Sequence, residues 1–289
     1  MRVYICGLCL MLLCGSAFGQ PGTEIYLFDM KVKKGKVFIT NPRNITHRAG
    51  YDNQPSFHPD EQWIYYASAD TAGRTDIIVY DYKHDVTKQL THTAEREYSP
   101  TITPDKQFVS CIVQRDDGIQ DVCKYPVNGG GATVIINSLK TGYHAWSDAN
   151  TLVVFVLGEP NTLRVYNTAT AKDSIVAQNV GRSLHRTPGG NGAISFVHKV
   201  KPDQWLIKQF TPGQSGIATL GETPAGREDM AWTPDGGILV SSDKQILYHS
   251  PDAPWGWQPV DIQFGGELKT ISRLAVSPRG DKIAVVINE

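Results

Sequence analysis

Acidic, basic and aromatic side chains recur a few residues before six evenly spaced turns of the chain. If the six segments converge on one axis, these side chains form rings that mix both charge signs with tyrosines and amides, as in a pocket for a polar ligand. The alternative is a closed ion-pair network within the protein. The candidate ligand-binding residues are Asp52, Asn53, Glu97, Tyr98, Tyr143, Arg182, Arg227, Glu228, Asp229 and Arg273.

Catalytic groups are harder to find. The segment Gly213–Ile217 reads Gly-Gln-Ser-Gly-Ile, which lacks the final glycine of a nucleophile elbow. Among eight histidines, we expect His144 and His185 near the rings, and a zinc site would need three or four such ligands. We therefore predict no metal and no cofactor. A non-catalytic role is favoured, and a metal-assisted hydrolase, lactonase or lyase in the same rings is the alternative.

Two groups of aromatic residues receive different interpretations. Trp255 and Trp257 lie in a proline-flanked loop, where exposed aromatic side chains mark contacts with a partner, so both are predicted partner contacts. The alternative is a plug over the side of the fifth repeat. By contrast, Phe57, Trp146 and Trp232 recur at one repeat position and are expected to pack between repeats.

The first residues resemble an export signal. Arg2 precedes an apolar run of about a dozen residues, and Ala17-Phe18-Gly19 is a small-x-small cleavage site. We predict a signal peptide at 1–19 and a mature chain in the periplasm or outside the cell. The net charge of −1 argues against nucleic-acid binding, and no later segment predicts a transmembrane helix. We expect a monomer.

Two of the five cysteines remain after such a cleavage, namely Cys111 and Cys123. They flank Asp116-Asp117-Gly118, a plausible hairpin turn whose equal arms place them opposite each other. In an oxidising compartment, a non-hydrogen-bonded strand pair would allow a bridge. We predict a disulfide, and two small buried thiols are the alternative.

The elements that must position these residues are repeated strands. The stretch from Thr46 matches the stretch from Thr91 without a gap, at an offset of 45 residues. That period is typical of a propeller or solenoid, and each copy predicts four short strands. The last copy stops after two strands, and the first segment supplies two more. The turns fall at Pro59, Pro104, Asp148, Pro188, Pro234 and Pro278.

We therefore predict an all-β, six-bladed β-propeller in which the N-terminal strands complete the last blade. That closure would remove the open edges of the array. Residues 20–289 are expected to form this single domain.

The repeats resemble those of TolB-like propellers. Gln89-Leu90-Thr91 and Ala231-Trp232-Thr233-Pro234-Asp235-Gly236 are similar to the Leu-Thr pair and the Trp-Ser-Pro-Asp-Gly turn of that family. The resemblance covers nearly the whole mature chain but not the α/β domain that precedes the propeller of the Tol-system protein. It implies an exported scaffold in cell-envelope or Tol-like processes. We expect it to bind a cell-envelope protein or a small polar ligand at the mouth of the central channel.

Overall fold

The computed structural model describes residues 21–289 as 25 β-strands. No helix in that range is long and apolar enough to cross a membrane. The predicted signal peptide at 1–19 lies outside the described residues.

Six sheets, or blades, are arranged around one axis, and each blade is numbered by its place in the chain. Blade 1 is β3 (Asp52–Phe57), β4 (Trp63–Ala69), β5 (Thr75–Asp81) and β6 (Val86–Gln89). Blade 2 is β7 (Arg96–Ile102), β8 (Phe108–Gln114), β9 (Gln120–Pro126) and β10 (Thr133–Ile136). Blade 3 is β11 (Thr141–Trp146), β12 (Thr151–Val156), β13 (Thr162–Asn167) and β14 (Lys172–Gln178).

The remaining blades follow the same order of strands. Blade 4 is β15 (Val180–Arg186), β16 (Ile194–Lys201), β17 (Gln204–Phe210) and β18 (Ala218–Glu222). Blade 5 is β19 (Met230–Trp232), β20 (Ile238–Ser242), β21 (Gln245–His249) and β22 (Gln258–Pro259). Blade 6 is β24 (Ile271–Val276), β25 (Lys282–Asn288), β1 (Thr23–Lys33), β2 (Lys36–Asn44) and the short β23 (Asp261–Ile262).

Blade 6 closes the ring with strands from both ends of the chain. Its order is β24-β25-β1-β2-β23, and β1 pairs antiparallel with β25, with Tyr26 opposite Val285. The first strands of neighbouring blades also contact one another all round the ring, including β24 with β3. The prediction of a closed, all-β, six-bladed propeller completed by the N-terminal strands is confirmed.

The core lies between the blades rather than within them. Each of the six junctions holds one cluster of buried apolar side chains, because every blade presents alternate residues of its strands to the two neighbouring blades. Trp146 belongs to the cluster between blades 2 and 3, and Phe57 packs on the one between blades 6 and 1. Trp232 packs on the cluster between blades 4 and 5. The inter-blade role expected for these three side chains agrees with this packing.

The repeated threonines hold the chain where it passes from one blade to the next. The Thr91 hydroxyl accepts the Ile77 N–H at 2.8 Å and donates to Asp76 at 3.0 Å. Thr46 accepts the Ile25 N–H at 3.1 Å and donates to Glu24 in the same way. One hydroxyl therefore satisfies a strand N–H and a carboxylate at each crossing, which is the physical reason for the repeated threonine.

Cys111 and Cys123 lie directly opposite each other on β8 and β9, but both are free, buried thiols. The structure therefore differs from the predicted disulfide. The backbone hydrogen bonds between β8 and β9 show why. Next to the hairpin turn, the Arg115 N–H donates to the Ile119 carbonyl, so these two residues form a hydrogen-bonded pair. Hydrogen-bonded pairs recur at every second residue of an antiparallel ladder, and Cys111 and Cys123 lie four residues from Arg115 and Ile119. The cysteines are therefore a hydrogen-bonded pair, not the non-hydrogen-bonded pair that the prediction assumed. Cβ atoms are farther apart in such pairs, which disfavours a bridge.

Candidate functional site

A central channel of about 800 Å³ is lined by the first strand of every blade. Its size suits a small ligand or a short stretch of polypeptide. Apolar side chains such as Leu184, Met230 and Leu274 form much of its wall. Charged groups gather at the end where the first strands begin, and prolines surround the other end. We call these the charged floor (Tyr143, Arg182, Asp229 and Arg273) and the proline end.

Asp229 is the centre of the charged floor. Arg182 of blade 4 binds both carboxylate oxygens of Asp229, with Nε–Oδ1 and Nη2–Oδ2 distances of 3.1 and 2.7 Å. Arg273 of blade 6 also donates to Oδ1 of Asp229. The Asp229 side chain is only 14% exposed. Glu228 also lies 3.9 Å from Arg182, but it is shared with Lys199, so three cations and two carboxylates leave one excess positive charge at this end.

The floor also spans the channel. Nη2 of Arg273 donates to the Tyr143 hydroxyl at 2.9 Å, and the guanidinium lies 5.5 Å from the centre of the Tyr143 ring. Tyr143 belongs to blade 3 and Arg273 to blade 6, and these two blades are three steps apart in a ring of six. The contact therefore joins opposite sides of the ring and crosses the channel at this end.

Glu228 forms a second ion pair beside the floor. It accepts the backbone N–H of Arg182 at 2.9 Å and lies 3.3 Å from the Lys199 ammonium nitrogen. Its side chain therefore ties blade 4 to blade 5 next to the channel rather than lining it.

Two histidines lie in the wall above the floor. Nε2 of His144 is 2.8 Å from the Ser110 hydroxyl, and Nε2 of His185 is 2.9 Å from the Ser183 hydroxyl. Burial lowers the pKa of each imidazole to about 4, because the charged form would lose its hydration. Both are therefore neutral at pH 7 and act as hydrogen-bonding groups in the wall.

The proline end is built from the turns between the first and second strands. Five of the six turn positions carry proline, and these prolines line the channel: Pro59, Pro104, Pro188, Pro234 and Pro278. In blade 2 the Thr103 hydroxyl donates to Asp105 at 2.6 Å, so the polar groups of this turn are satisfied locally. Lys106 lies 2.5 Å from Asp60 of the neighbouring blade, and both side chains are about half exposed.

Four of the ten predicted ligand-binding residues, those of the charged floor, line the channel. The other six do not, and this differs from the expected ring. Asp52 and Glu97 are fully buried, and Asp52 accepts from Arg48 at 2.9 Å. Tyr98 packs edge-on against Tyr51 at a ring-centre distance of 6.4 Å. The displaced residues are Asp52, Asn53, Glu97, Tyr98, Arg227 and Glu228.

Bulges explain much of this displacement. The pairing register of β3 shifts between Asn53 and Ser56, and that of β7 shifts between Tyr98 and Thr101. Gln54 and Ser99 adopt φ angles of +57° and +54° inside these shifts. A bulge re-aims the strand, so residues before it point into a blade junction while residues after it point into the channel.

Gln54 and Ser99 line the channel in place of their predicted neighbours, and the Ser99 N–H donates to Oε1 of Gln54 at 2.8 Å. Neither residue is among the ten ligand-binding residues predicted from the sequence. A usable signal was present, since Pro55 and Pro100 follow them. Proline within a strand is confined to edges and bulges, so these prolines could have marked the two bulges.

Glu97 lies in an unusual environment for a carboxylate. It accepts from the Thr93 hydroxyl at 2.5 Å and from the Tyr125 hydroxyl at 3.1 Å. Burial, and next the negative charge of Asp76, raises the pKa of Glu97 to about 7. The side chain belongs to the junction between blades 1 and 2.

Trp255 and Trp257 connect blade 5 to the outer strand of blade 4. Both indole N–H groups donate to the Glu222 carbonyl, at 3.2 and 3.0 Å. Trp257 packs on the junction cluster between these blades, which has four fully buried residues. The Trp255 ring covers Gly221, where a side chain would collide with the indole. Trp255 nevertheless remains 38% exposed.

Within residues 21–289, no group of three or more His, Cys, Asp or Glu side chains is arranged to hold a metal ion.

No protein-family profile matches the chain, and no curated protein matches it. Solved structures are similar in fold. The structure of putative TolB from Agrobacterium tumefaciens is 14% identical, with a TM-score of 0.69, over 94% of this chain and 99% of that one. TolB from Acinetobacter baumannii is 13% identical, with a TM-score of 0.58, and this chain covers 64% of it.

A solved structure with a different described function is also similar in fold. Regucalcin from Agrobacterium tumefaciens, described as a calcium-binding protein, is 10% identical over 79% of this chain and 78% of its own, with a TM-score of 0.56. Identities this low show the fold alone. The fold is a TolB-like β-propeller, and that fold accommodates more than one function.

Proposed function

We propose that this protein is an exported, non-catalytic propeller that binds a protein segment or a small polar ligand in its central channel. The observation that carries the proposal is the charged floor. Its side chains cross one end of a channel of about 800 Å³ whose other walls are largely apolar. A few converging polar groups in a mostly apolar cavity are the usual composition of a binding pocket.

The floor selects an acidic ligand. Arg182 and Arg273 both bind Asp229, and Glu228 lies 3.9 Å from Arg182 but is shared with Lys199, so three cations face two carboxylates and one positive charge is left over. Guanidinium groups bind carboxylates through paired hydrogen bonds, and such charge-assisted bonds are about twice as strong as neutral ones. The ligand therefore presents a carboxylate, from an acidic side chain, a chain terminus or a small organic acid.

The same geometry sets the direction of approach. The bond between Arg273 and Tyr143 crosses the channel at the floor, whereas the proline end has turns that are satisfied locally. The ligand enters at the proline end, places its apolar part against the wall and directs its carboxylate towards the floor.

The first experiment uses two matched peptides, acetyl-Gly-Glu-Gly-amide and acetyl-Gly-Gln-Gly-amide, measured by isothermal titration. We expect the glutamate peptide to bind about tenfold more tightly, which corresponds to one charge-assisted hydrogen bond. Arg273→Ala should remove that difference. Arg279→Ala is the matched control, since Arg279 is an exposed arginine of the same blade next to the proline end.

Equal binding of the two peptides, or an unchanged preference in Arg273→Ala, would refute the acidic-ligand proposal. A pull-down from a cell-envelope extract with the wild-type protein and the same two variants then identifies the natural ligand. A binding partner should be retained by Arg279→Ala and lost by Arg273→Ala.

The same pull-down also tests a second proposal, that a protein partner binds through Trp255. The exposed edge of this indole supports it, although both tryptophans also hold blades 4 and 5 together. Trp255→Phe keeps an aromatic ring over Gly221 and should weaken capture if the indole touches a partner. Export itself is tested by N-terminal sequencing of the mature protein, which we expect to begin at Gln20.

A further inference from the structure

The channel also has a free cationic group at its proline end. Arg186 is the last residue of β15, two positions before Pro188, and both residues line the channel. The Arg186 side chain is exposed, and its guanidinium forms no hydrogen bond and no ion pair within residues 21–289. A guanidinium carries five N–H donors, so this group can bind an anion without giving up a contact inside the protein.

Each end of the channel therefore carries one positive charge that no carboxylate neutralises. At the floor, the ion pairs described above leave one excess charge. At the proline end, Lys106 is paired with Asp60, whereas Arg186 is unpaired. Asp229 is the single carboxylate among the described residues that line the channel, and the two histidines of the wall are neutral at pH 7.

An apolar stretch separates the two charges. Arg182 and Arg186 belong to the same strand and are four residues apart, so their Cα atoms are about 13 Å from each other at the usual rise of a strand. Leu184 lies between them on β15, and Met230 and Leu274 also line the channel. This pattern suits a ligand with two charged ends, because each end meets a counter-charge while the apolar middle is removed from water.

We propose that the channel ligand is an elongated dicarboxylate with an apolar middle segment. One carboxylate binds Arg182 and Arg273 at the floor, and the other binds Arg186 at the proline end. This assignment rests on the proposed function, since it adds a second contact to the acidic ligand that the floor selects. Arg186 then determines specificity, because only an acid long enough to reach it gains the second contact.

The test compares three acids by isothermal titration at pH 7, namely sebacate, its monomethyl ester and glutarate. The ester has the chain length of sebacate but one carboxylate fewer. The two carboxylates of glutarate are too close together to reach both ends of the channel. We expect sebacate to bind about tenfold more tightly than the ester, which is the gain from one charge-assisted contact, and also more tightly than glutarate.

Variants at the two ends assign the two contacts. Arg186→Ala should lower the affinity for sebacate about tenfold, so that its advantage over the ester disappears. Arg186→Lys keeps the charge and should retain most of that advantage. Arg273→Ala, at the floor, should weaken both acids. Arg279→Ala is the matched control, since Arg279 is exposed at the same end but does not line the channel, and it should bind sebacate as wild type does.

The results distinguish a failure of this inference from a failure of the proposed function. If the ester binds and depends on Arg273, but sebacate binds no more tightly, the floor binds an acid and the second contact is refuted. If Arg273→Ala changes the binding of neither acid, the floor is not the site and both proposals fail. Sebacate that binds Arg186→Ala as well as wild type, or that does not bind at millimolar concentration, also overturns the inference.

Discussion

The two ends of the channel are built in different ways. At the charged floor, Asp229, Arg182, Arg273 and Tyr143 come from blades 5, 4, 6 and 3, and their side chains bind one another across the axis. At the proline end, the turns of blades 2, 4 and 6 form side-chain hydrogen bonds within their own blades. Contacts between turns are fewer: Ser147 of blade 3 donates to the Gly192 carbonyl of blade 4, and the ion pair between Lys106 and Asp60 is exposed. The floor is thus a property of the assembled ring, and the proline end is a property of the repeat.

Removing the shared carboxylate should have the largest effect. Asp229→Ala removes the carboxylate that both Arg182 and Arg273 bind and leaves only Glu228, 3.9 Å from Arg182, as a counter-charge in a partly buried site. We expect the free energy of unfolding in urea to fall by roughly 3–5 kcal/mol. Asp60→Ala, which breaks the exposed pair at the proline end, should cost less than about 1 kcal/mol. Similar losses in the two variants would contradict the distinction between the ends.

The stability of the protein at low pH tests whether His144, in the channel wall between the two ends, is buried in its neutral form. The folded pKa of His144 is about 4, below its ordinary value of 6.5. Between these values the unfolded chain binds a proton that the folded protein excludes, so stability is intact above pH 6.5 and falls as the pH drops towards 4. We expect wild type to lose roughly 3 kcal/mol more than His144→Gln between pH 7 and 4.

The other titrating groups are present in both wild type and His144→Gln, so the difference between the two pH dependences reports His144 alone. Glu97 acts in the opposite direction, because its raised pKa of about 7 makes folding less favourable as the pH rises above 4.5. His92→Gln, at an exposed histidine, should follow the wild-type curve. An identical pH dependence in wild type and His144→Gln would show that His144 is not excluded from water.

Among substitutions of buried groups, the smallest effect is expected near the proline end. Trp232→Phe keeps the ring but removes the N–H that bonds to Ser195, and Trp146→Phe does the same to Ser110. We expect each to lower the free energy of unfolding by about 1 kcal/mol. Because the two arrangements are repeats of one another, their effects should agree. A difference of several kcal/mol between the two variants would mean that the proline end, like the floor, is not built the same way in every blade.

The fold was largely predictable because its signals are local. A threonine before each of the first two blades and a proline at five of six turns act through bonds within a few residues or one neighbouring strand. The site was only partly predictable. Alignment on the turns identified Tyr143, Arg182, Asp229 and Arg273, but it could not show that bulges direct Asn53 and Tyr98 away from the channel.

The predicted disulfide, which is absent from the structure, has the same kind of cause. The equal arms of the hairpin correctly placed Cys111 opposite Cys123, and the phase of the hydrogen-bond ladder then set whether their Cβ atoms come close enough. That phase is set by how the three-residue turn closes, with the Arg115 N–H bound to the Ile119 carbonyl, and the prediction did not take the turn geometry into account.

The sequence by itself determined the period, the strands, the turns and the pairing of the first strands with the last, because each follows from short-range backbone chemistry and from unpaired strand edges. The tertiary structure alone decided which polar side chains meet. Tyr143 and Arg273 are 130 residues apart in the chain and touch only because closing the ring places their blades on opposite sides of a narrow channel.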